Sequence, residues 1–284
     1  MKLLRYGSPG KEKPGVLDSL GFVRDLSAHV DDIAGEILLP VHLSRLQSLK
    51  IDDLPVVAGV PQVDFRLGSC VAQVGKCICI GLNYADHAAE AGLPLPKEPI
   101  VFNKWTSALS GPDDAIEIPK GSEKTDWEVE LAVVIGQGGR YISENCAMSH
   151  VAGYCVFNDV SERDYQFNRG GSWDKGKGFD SFGPLGPWLV TADDITDPNK
   201  LDLWLEVDGK RYQNGNTSKM IFKVPFLISY LSQFMSLQPG DVIATGTPSG
   251  VGMGQNPSVF LGVGQTLHLS VEGLGTQTQV TVLA

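Results

Sequence analysis

The sequence predicts an α+β fold in which strands dominate, and three observations carry that expectation. Short apolar or alternating runs recur along the chain and end in turn residues. The 33 glycines and 17 prolines among 284 residues are spread out rather than clustered, so turns are frequent and long helices few. Only Val224 to Met235 reads as an extended helix, with Phe226, Ile228, Tyr230, Leu231, Phe234 and Met235 along it. Two units are expected: a small N-terminal α/β domain over 1–70 and a larger β-rich domain over 71–284.

In the first unit, MKLLRYG reads as a strand and GVLDSLGFVRDLS as two short strands about a turn. His29 to Leu39 reads as a short helix with acidic residues early in it, and Leu54 to Pro61 as a proline-containing connector. In the second unit, KCICIGLNY reads as a buried strand that runs into a loop. Tyr84 to Ala91 has helical character and stops at Gly92. Further strands are expected at Pro99–Lys104, Glu128–Ile135, Ala152–Asp159, Leu203–Val207, Asp241–Thr245, Thr266–Val271 and Gln279–Leu283.

Composition removes several function classes. The hydrophobic fraction of 42% and charged fraction of 20% are those of an ordinary globular chain. The formal net charge of −10 argues against a nucleic-acid or anionic-membrane surface, both of which need a basic patch. An anionic ligand would need local cations working against the global field. No run approaches membrane-spanning length, and the N-terminus does not read as a leader segment. The five cysteines are odd in number and form no CxxC, so they read as inert core thiols in a reducing cytoplasm.

TDWEVELAVVIG, from Thr125 to Gly136, is the first stretch that asks for chemistry. Asp126, Glu128 and Glu130 fall at alternate positions and so share one strand face. A solvated face is the plain reading. Against it, like charges crowded beside an apolar run repel unless a cation sits among them, and a hard divalent ion such as Mg²⁺ suits oxygen ligands. Such an ion needs a further carboxylate, and Asp159 is placed where CVFNDVSERD leaves its apolar stretch; alone it reads equally as a turn or cap.

His87 and Glu90, three apart in ADHAAEA, would share a helix face. That is the arrangement of a general base oriented by a carboxylate, or of a surface pair. Lys104 closes the run PIVFNK, and Arg163 follows Asp159 in one loop. Lys177 lies in SWDKGKGFDSFGPLGP, a glycine-rich loop that lets backbone approach a ligand. ATGTPSGVGMG is a second such turn, without the GK[ST] of a phosphate loop.

Together, IGLNYADHAAEAG, FNKWTSALSGP, DWEVELAVVIG, GYCVFNDVSERD, WDKGKGFDSFGPLGP and DVIATGTPSGVG resemble the signature segments of the fumarylacetoacetate hydrolase family, in that family's order. The resemblance covers about Val74 to the C-terminus, and the opening MKLLRYG unit looks like the small leading domain of its longer members. It implies a mixed β-sandwich roll that forms a homodimer. It implies Mg²⁺ (or Mn²⁺) held by Glu128, Glu130 and Asp159, with Asp126 as a neighbouring group. The matching general-base pair is His87 and Glu90, on a segment that orders as a lid, and Lys177 matches the lysine near the metal. Lys104, Arg163, Gln166 and Thr247 match positions that line the ligand pocket; nothing matches for the distal end of the substrate.

The activity implied is metal-dependent hydrolysis of a C–C bond in a 2,4-diketo acid, an acylpyruvate or a 2,4-diketo-3-deoxy sugar acid, to pyruvate and a carboxylic acid. By analogy, the leading domain favours the sugar acid. An oxaloacetate decarboxylase or a 2-oxo-dienoate isomerase or hydratase is the alternative, and a ureidoglycolate lyase or a non-catalytic metal-binding protein stands further off.

Overall fold

The computed structural model describes residues 1–57 and 65–284. The connector expected over Leu54 to Pro61 therefore lies partly outside the described residues. In chain order the strands are β1 (Lys2–Tyr6), β2 (Lys13–Leu17), β3 (Val23–Asp25), β4 (Cys77–Gly81), β5 (Ile100–Lys104), β6 (Leu109–Ser110), β7 (Ile116–Ile118), β8 (Thr125–Asp126) and β9 (Val129–Ile135). They continue with β10 (Val151–Asn158), β11 (Ser161–Glu162), β12 (Gly183–Thr191), β13 (Asp202–Val207), β14 (Lys210–Asn216), β15 (Val242–Ala244), β16 (Thr266–Val271) and β17 (Gly275–Leu283). The α-helices are α1 (Pro40–Gln47), α2 (Ala85–Glu90), α3 (Arg163–Asn168), α4 (Asp174–Lys177) and α5 (Val224–Leu231). This is the β-rich α+β architecture expected from sequence. Among the described residues no helix is long and apolar enough to cross a membrane.

The largest sheet runs β3-β2-β1-β12-β10-β9-β15-β4-β5, with β6 alongside β12. A second sheet, β14-β13-β16-β17-β7, covers one of its faces. Strands β9 and β10 lie mid-sheet and every residue in them is buried, which is why both read as continuous apolar runs. Parity sorts their side chains. Leu131, Val133 and Ile135 pack with Leu203, Leu205, Leu267 and Leu269 of the second sheet. Ala132 and Val134 face the other way, into a core shared with Leu3, Val16, Leu26 and Leu38. The first strands thus extend the main sheet, through the β1–β12 pairing, and share its core.

Two expectations are corrected. The helix placed at His29–Leu39 is a 3-10 turn at Gly35–Leu38, followed by α1 from Pro40. Pro40 holds Leu39 extended and supplies the first helical residue itself. Helix α5 stops at Leu231 rather than Met235. Besides the two- and three-residue strands β6, β7, β8 and β11, two long strands were not expected at all. The polar β14 is an edge strand, where a charged sequence is suitable. The nine-residue β12 contains Pro184 and Pro187, which argue against a central strand. It is accommodated by a register shift between Tyr154↔Val190 and Val156↔Gly186. Gly153 adds to this: a Cβ there would lie 2.2 Å from the Val190 carbonyl oxygen.

Candidate active site

Glu128 and Glu130 carry the same parity as Ala132 and Val134, and the β9–β10 register brings Asp159 to them. Glu130 pairs with Phe157 and Val129 with Asn158. The Asp159 amide then donates to the Glu128 carbonyl at 2.9 Å. All three carboxylates are buried, and one oxygen from each lies within 4.8 Å of the others.

Buried cations are threaded between them. Lys177 Nζ, at the end of α4, donates to Glu128 Oε2 at 2.7 Å and to Asp159 Oδ2 at 2.8 Å. Lys104 Nζ lies 2.7 Å from Asp159 Oδ1 and donates to the carbonyls of Val160 and Lys177. Arg163 donates through Nε to Asp126 Oδ2 at 2.8 Å and through Nη1 to Gln166 Oε1 at 3.0 Å. Its Nη2 lies 2.7 Å from Glu128 Oε1. The Lys104–Asp159 and Arg163–Glu128 contacts are charge pairs without hydrogen-bond angles, so Asp159 Oδ1 and Arg163 Nη2 are buried with no aligned partner.

Three cations thus serve four carboxylates, and the shortfall falls on Glu130. Its Oε2 accepts the Gly246 amide at 2.8 Å. Burial pushes its pKa well above the carboxylate range, and the charges of Asp159 and Glu128 push the same way. Glu128 behaves oppositely: burial would raise it, but Lys177 and Arg163 outweigh burial and hold it at about 2. Two neighbouring carboxyls so divided, with Glu130 held by an amide and no cation, fit a hard divalent ion, which would supply the missing positive charge. Glu128, Glu130 and Asp159 are the residues that would hold it.

Asp126 is drawn out of this set. Its Oδ1 accepts the Trp127 amide at 2.8 Å and the Gly252 amide at 2.6 Å, and its Oδ2 accepts the Met253 amide at 3.0 Å. It therefore clamps the Gly252–Gly254 turn to Arg163. A Cβ at Gly252 would lie 2.0 Å from the Val259 carbonyl oxygen and 2.6 Å from Asp126 Oδ1. Gly252→Ala should cost about 1–3 kcal/mol by overpacking, read as a lowered midpoint in urea unfolding with unchanged slope.

Helix α2 carries the other pair. His87 Nδ1 lies 3.0 Å from Glu90 Oε2, and Glu90 Oε1 accepts the Gly250 amide at 2.9 Å. The carboxylate is thereby fixed from behind and the far ring nitrogen is left for other partners. Gly92, at φ +66°, ends this segment as expected.

One cavity collects these groups. His87, Glu128, Glu130, Arg163, Gln166, Lys177 and Thr247 all line it. Its volume is about 80 Å³, against roughly 10–15 Å³ for one water, so it suits a small acid. Lys104 is not in the lining; its ammonium is spent on Asp159 and two carbonyls beneath the site. The Thr247 hydroxyl is also engaged, donating to the Val129 carbonyl at 2.9 Å and accepting from Gln213 at 2.7 Å. Sequence reasoning had not singled out the apolar half of the lining, which includes Leu82, Leu93, Phe102, Phe167, Trp173 and Met253. Only the position of Phe102, two before Lys104 on β5 and so on the same face, and of Trp173, four before Lys177, gave a signal.

The chain belongs to the fumarylacetoacetate (FAA) hydrolase family: the model of that family's C-terminal region matches residues 76–282. It is 64% identical over 282 residues to a Burkholderia orbicola (strain MC0-3) protein with a provisional hydrolase name, covering 99% of each chain. Among solved structures it is similar to a 2-hydroxyhepta-2,4-diene-1,7-dioate isomerase from Mycobacterium marinum, at 32% identity and TM-score 0.76 over 100% of this chain and 98% of the other. It is also similar to maleylpyruvate hydrolase from Sphingobium sp. SYK-6, crystallised with manganese (II) ion and pyruvate, at 27% identity and TM-score 0.83 over 100% of both chains.

Proposed function

We propose that this enzyme is a divalent-cation-dependent hydrolase that cleaves the C3–C4 bond of a 2,4-diketo acid, giving pyruvate and a carboxylic acid. The observation that carries the reading is the cavity with Glu128 and Glu130 in its wall, Asp159 grouped with them, and a carboxylate-backed histidine facing the same space. A bound Mg²⁺ or Mn²⁺ would supply a Lewis acid that orients and polarises a 2-oxo acid. The chain's own residues do the rest. His87, held by Glu90, takes a proton from water, and the oxygen adds to the C4 carbonyl. The C3–C4 bond breaks with its electron pair on the pyruvyl fragment, whose negative charge develops beside the Lys177 ammonium. A proton delivered to C3 completes pyruvate. Arg163 and Gln166, locked to each other and to Asp126, provide fixed polar groups for the acid end.

Purified enzyme with Mn²⁺ should release pyruvate from an acylpyruvate, and EDTA should abolish the release. Release from oxaloacetate alone would assign a decarboxylase instead. The isomerase reading has its own support, because a His–Glu pair can move a proton between carbons and one structural neighbour is named for that reaction; interconversion of a 2-oxo-dienoate without pyruvate release would establish it.

The homodimer is proposed on the partly exposed row Phe222, Phe226, Tyr230 and Phe234, whose rings meet successively at 5.3, 5.9 and 4.9 Å, the first two pairs stacked and the last edge-on. Light scattering on the eluted protein reads it directly. A cytoplasmic location is proposed with it, on five free thiols of which four are buried.

A further inference from the structure

We propose that the distal half of the cavity selects an apolar acyl group and rejects a second carboxylate or a polyol. This rests on the 2-oxo acid reading of the site. The cavity is divided by chemistry. His87, Glu128, Glu130, Arg163 and Lys177 supply its polar pole; ion pairs join Arg163 and Lys177 to Glu128, and Glu130 lies beside Glu128. Of the rest, Gln166 is paired with Arg163 and the Thr247 hydroxyl with Val129 and Gln213, and the other lining side chains are aliphatic or aromatic.

Three aromatic rings form one wall of that remainder. Trp173 lies 5.4 Å from Phe102 and 5.8 Å from Phe167, ring centre to ring centre. Trp173 also packs closely on the Gly81 backbone, since a Cβ at Gly81 would lie 2.5 Å from its ring. Phe102 fixes the wall to the charged pole, with Lys177 Nζ 5.1 Å from its ring centre. Ile80, Leu82, Ala91, Leu93 and Met253 complete the apolar lining. Leu82 is held at φ +51°, a backbone state that a leucine adopts only when its surroundings impose it.

A second carboxylate would need a cation here, and the lining offers none beyond those of the charged cluster. The two cations next to the wall in sequence are engaged elsewhere: Arg169 pairs with Asp164 at 3.0 Å, and Lys175 donates to the Arg169 carbonyl at 2.8 Å. Hydroxyls of a sugar acid would likewise lose water against aromatic and aliphatic carbon without gaining partners. An alkyl or aryl chain loses nothing and buries surface. The structure thus turns the substrate preference from a deoxy sugar acid, suggested by the leading unit, toward an acylpyruvate.

The test compares kcat/KM, with Mn²⁺ present, for acetylpyruvate, hexanoylpyruvate, benzoylpyruvate, 2,4-dioxoadipate and a 2,4-diketo-3-deoxy sugar acid. Each added methylene should raise kcat/KM about fourfold until the wall is filled, so hexanoylpyruvate should exceed acetylpyruvate by at least about tenfold. The dioate and the sugar acid should fall below acetylpyruvate. Turnover in which either of those two leads overturns the subsite while the hydrolase reading stands.

A second measurement keeps the two ideas apart if no diketo acid is cleaved. Calorimetry on Mn²⁺-loaded protein compares 2-oxohexanoate with 2-oxoadipate, which share a chain length and differ at the distal end. Tighter binding of 2-oxohexanoate, by about tenfold, supports the apolar subsite whatever the reaction. Equal or tighter binding of 2-oxoadipate, or binding of neither, overturns it. Phe167→Arg, at a position 44% exposed, should narrow the difference between the two acids.

Discussion

Replacing His87 by alanine should lower pyruvate release by about 10²–10⁴-fold, the range that positioned general bases contribute, while Mn²⁺ binding survives. The geometry separates the two functions. His87 enters from α2 and is oriented by Glu90, which is itself anchored by the Gly250 amide. The carboxylate triad is set by the β9–β10 register and by Lys177, on other elements. Removing the imidazole leaves every contact of the triad's carboxyl oxygens in place. Glu90→Gln should show a smaller loss than His87→Ala, because the amide can still accept from the ring nitrogen but no longer stabilises its charged form. Steady-state rates and calorimetric Mn²⁺ titrations on both variants check this. A His87→Ala enzyme that turns over at the wild-type rate would remove the pair from the mechanism; loss of Mn²⁺ binding would place His87 among the ligands.

The site was legible in the sequence to the extent that a strand's parity is legible. Asp126, Glu128 and Glu130 had to share a face if the whole run to Ile135 was one strand, but only Glu130 lies within β9, with Glu128 just before it and Asp126 in β8. Spacing alone left open which partner each carboxylate finds. Glu128 and Glu130 meet Asp159, whereas Asp126 turns to Arg163 and three amides. The difference lies in the chain between β8 and β9 and in the Gly252 turn more than a hundred residues on, neither of which leaves a periodic trace. Lys104 shows the same limit. The end of a buried strand marked it as unusual, but only the packed structure shows its ammonium beneath Asp159 rather than facing the cavity. Strand β12 was hidden because its prolines are those of a loop, tolerated where the β10 register slips. The apolar wall was the least legible of all. Its residues come from α3, β5, the start of α4 and three loops, and an isolated phenylalanine or leucine carries no mark of which cavity it will line.

Binding of Mn²⁺ should release a proton from Glu130 over the pH range in which the metal-free protein keeps that carboxyl protonated. The sign follows from the division of charge in the site. Burial, with Asp159 and Glu128 adding to it, raises the Glu130 pKa well above its ordinary value, so the metal-free fold binds this proton more tightly than the unfolded chain does. A group of this kind makes the metal-free protein less stable as pH climbs from the unfolded-state pKa of about 4.3 through the folded one. A divalent cation favours the carboxylate and expels the proton. Apparent affinity should therefore rise about tenfold per pH unit while Glu130 is protonated in the free protein, and level off above its folded pKa. Glu128 contributes no slope near neutrality, because its pKa of about 2 leaves it ionised throughout. Its own stabilising effect is lost only in acid, as pH falls below the unfolded value toward 2. Calorimetric Mn²⁺ titrations in two buffers of different ionisation enthalpy count the proton. Glu130→Gln supplies the control, since the amide imitates the protonated acid. The variant should fold with the same midpoint as the wild type where Glu130 is protonated and with a higher one where it is not, and bind Mn²⁺ at least about 10–100-fold more weakly, the loss known even for outer-shell partners, with no proton released. Proton release that persists in Glu130→Gln would mean that another group pays the charge balance and that Glu130 is not the carboxyl the cation meets.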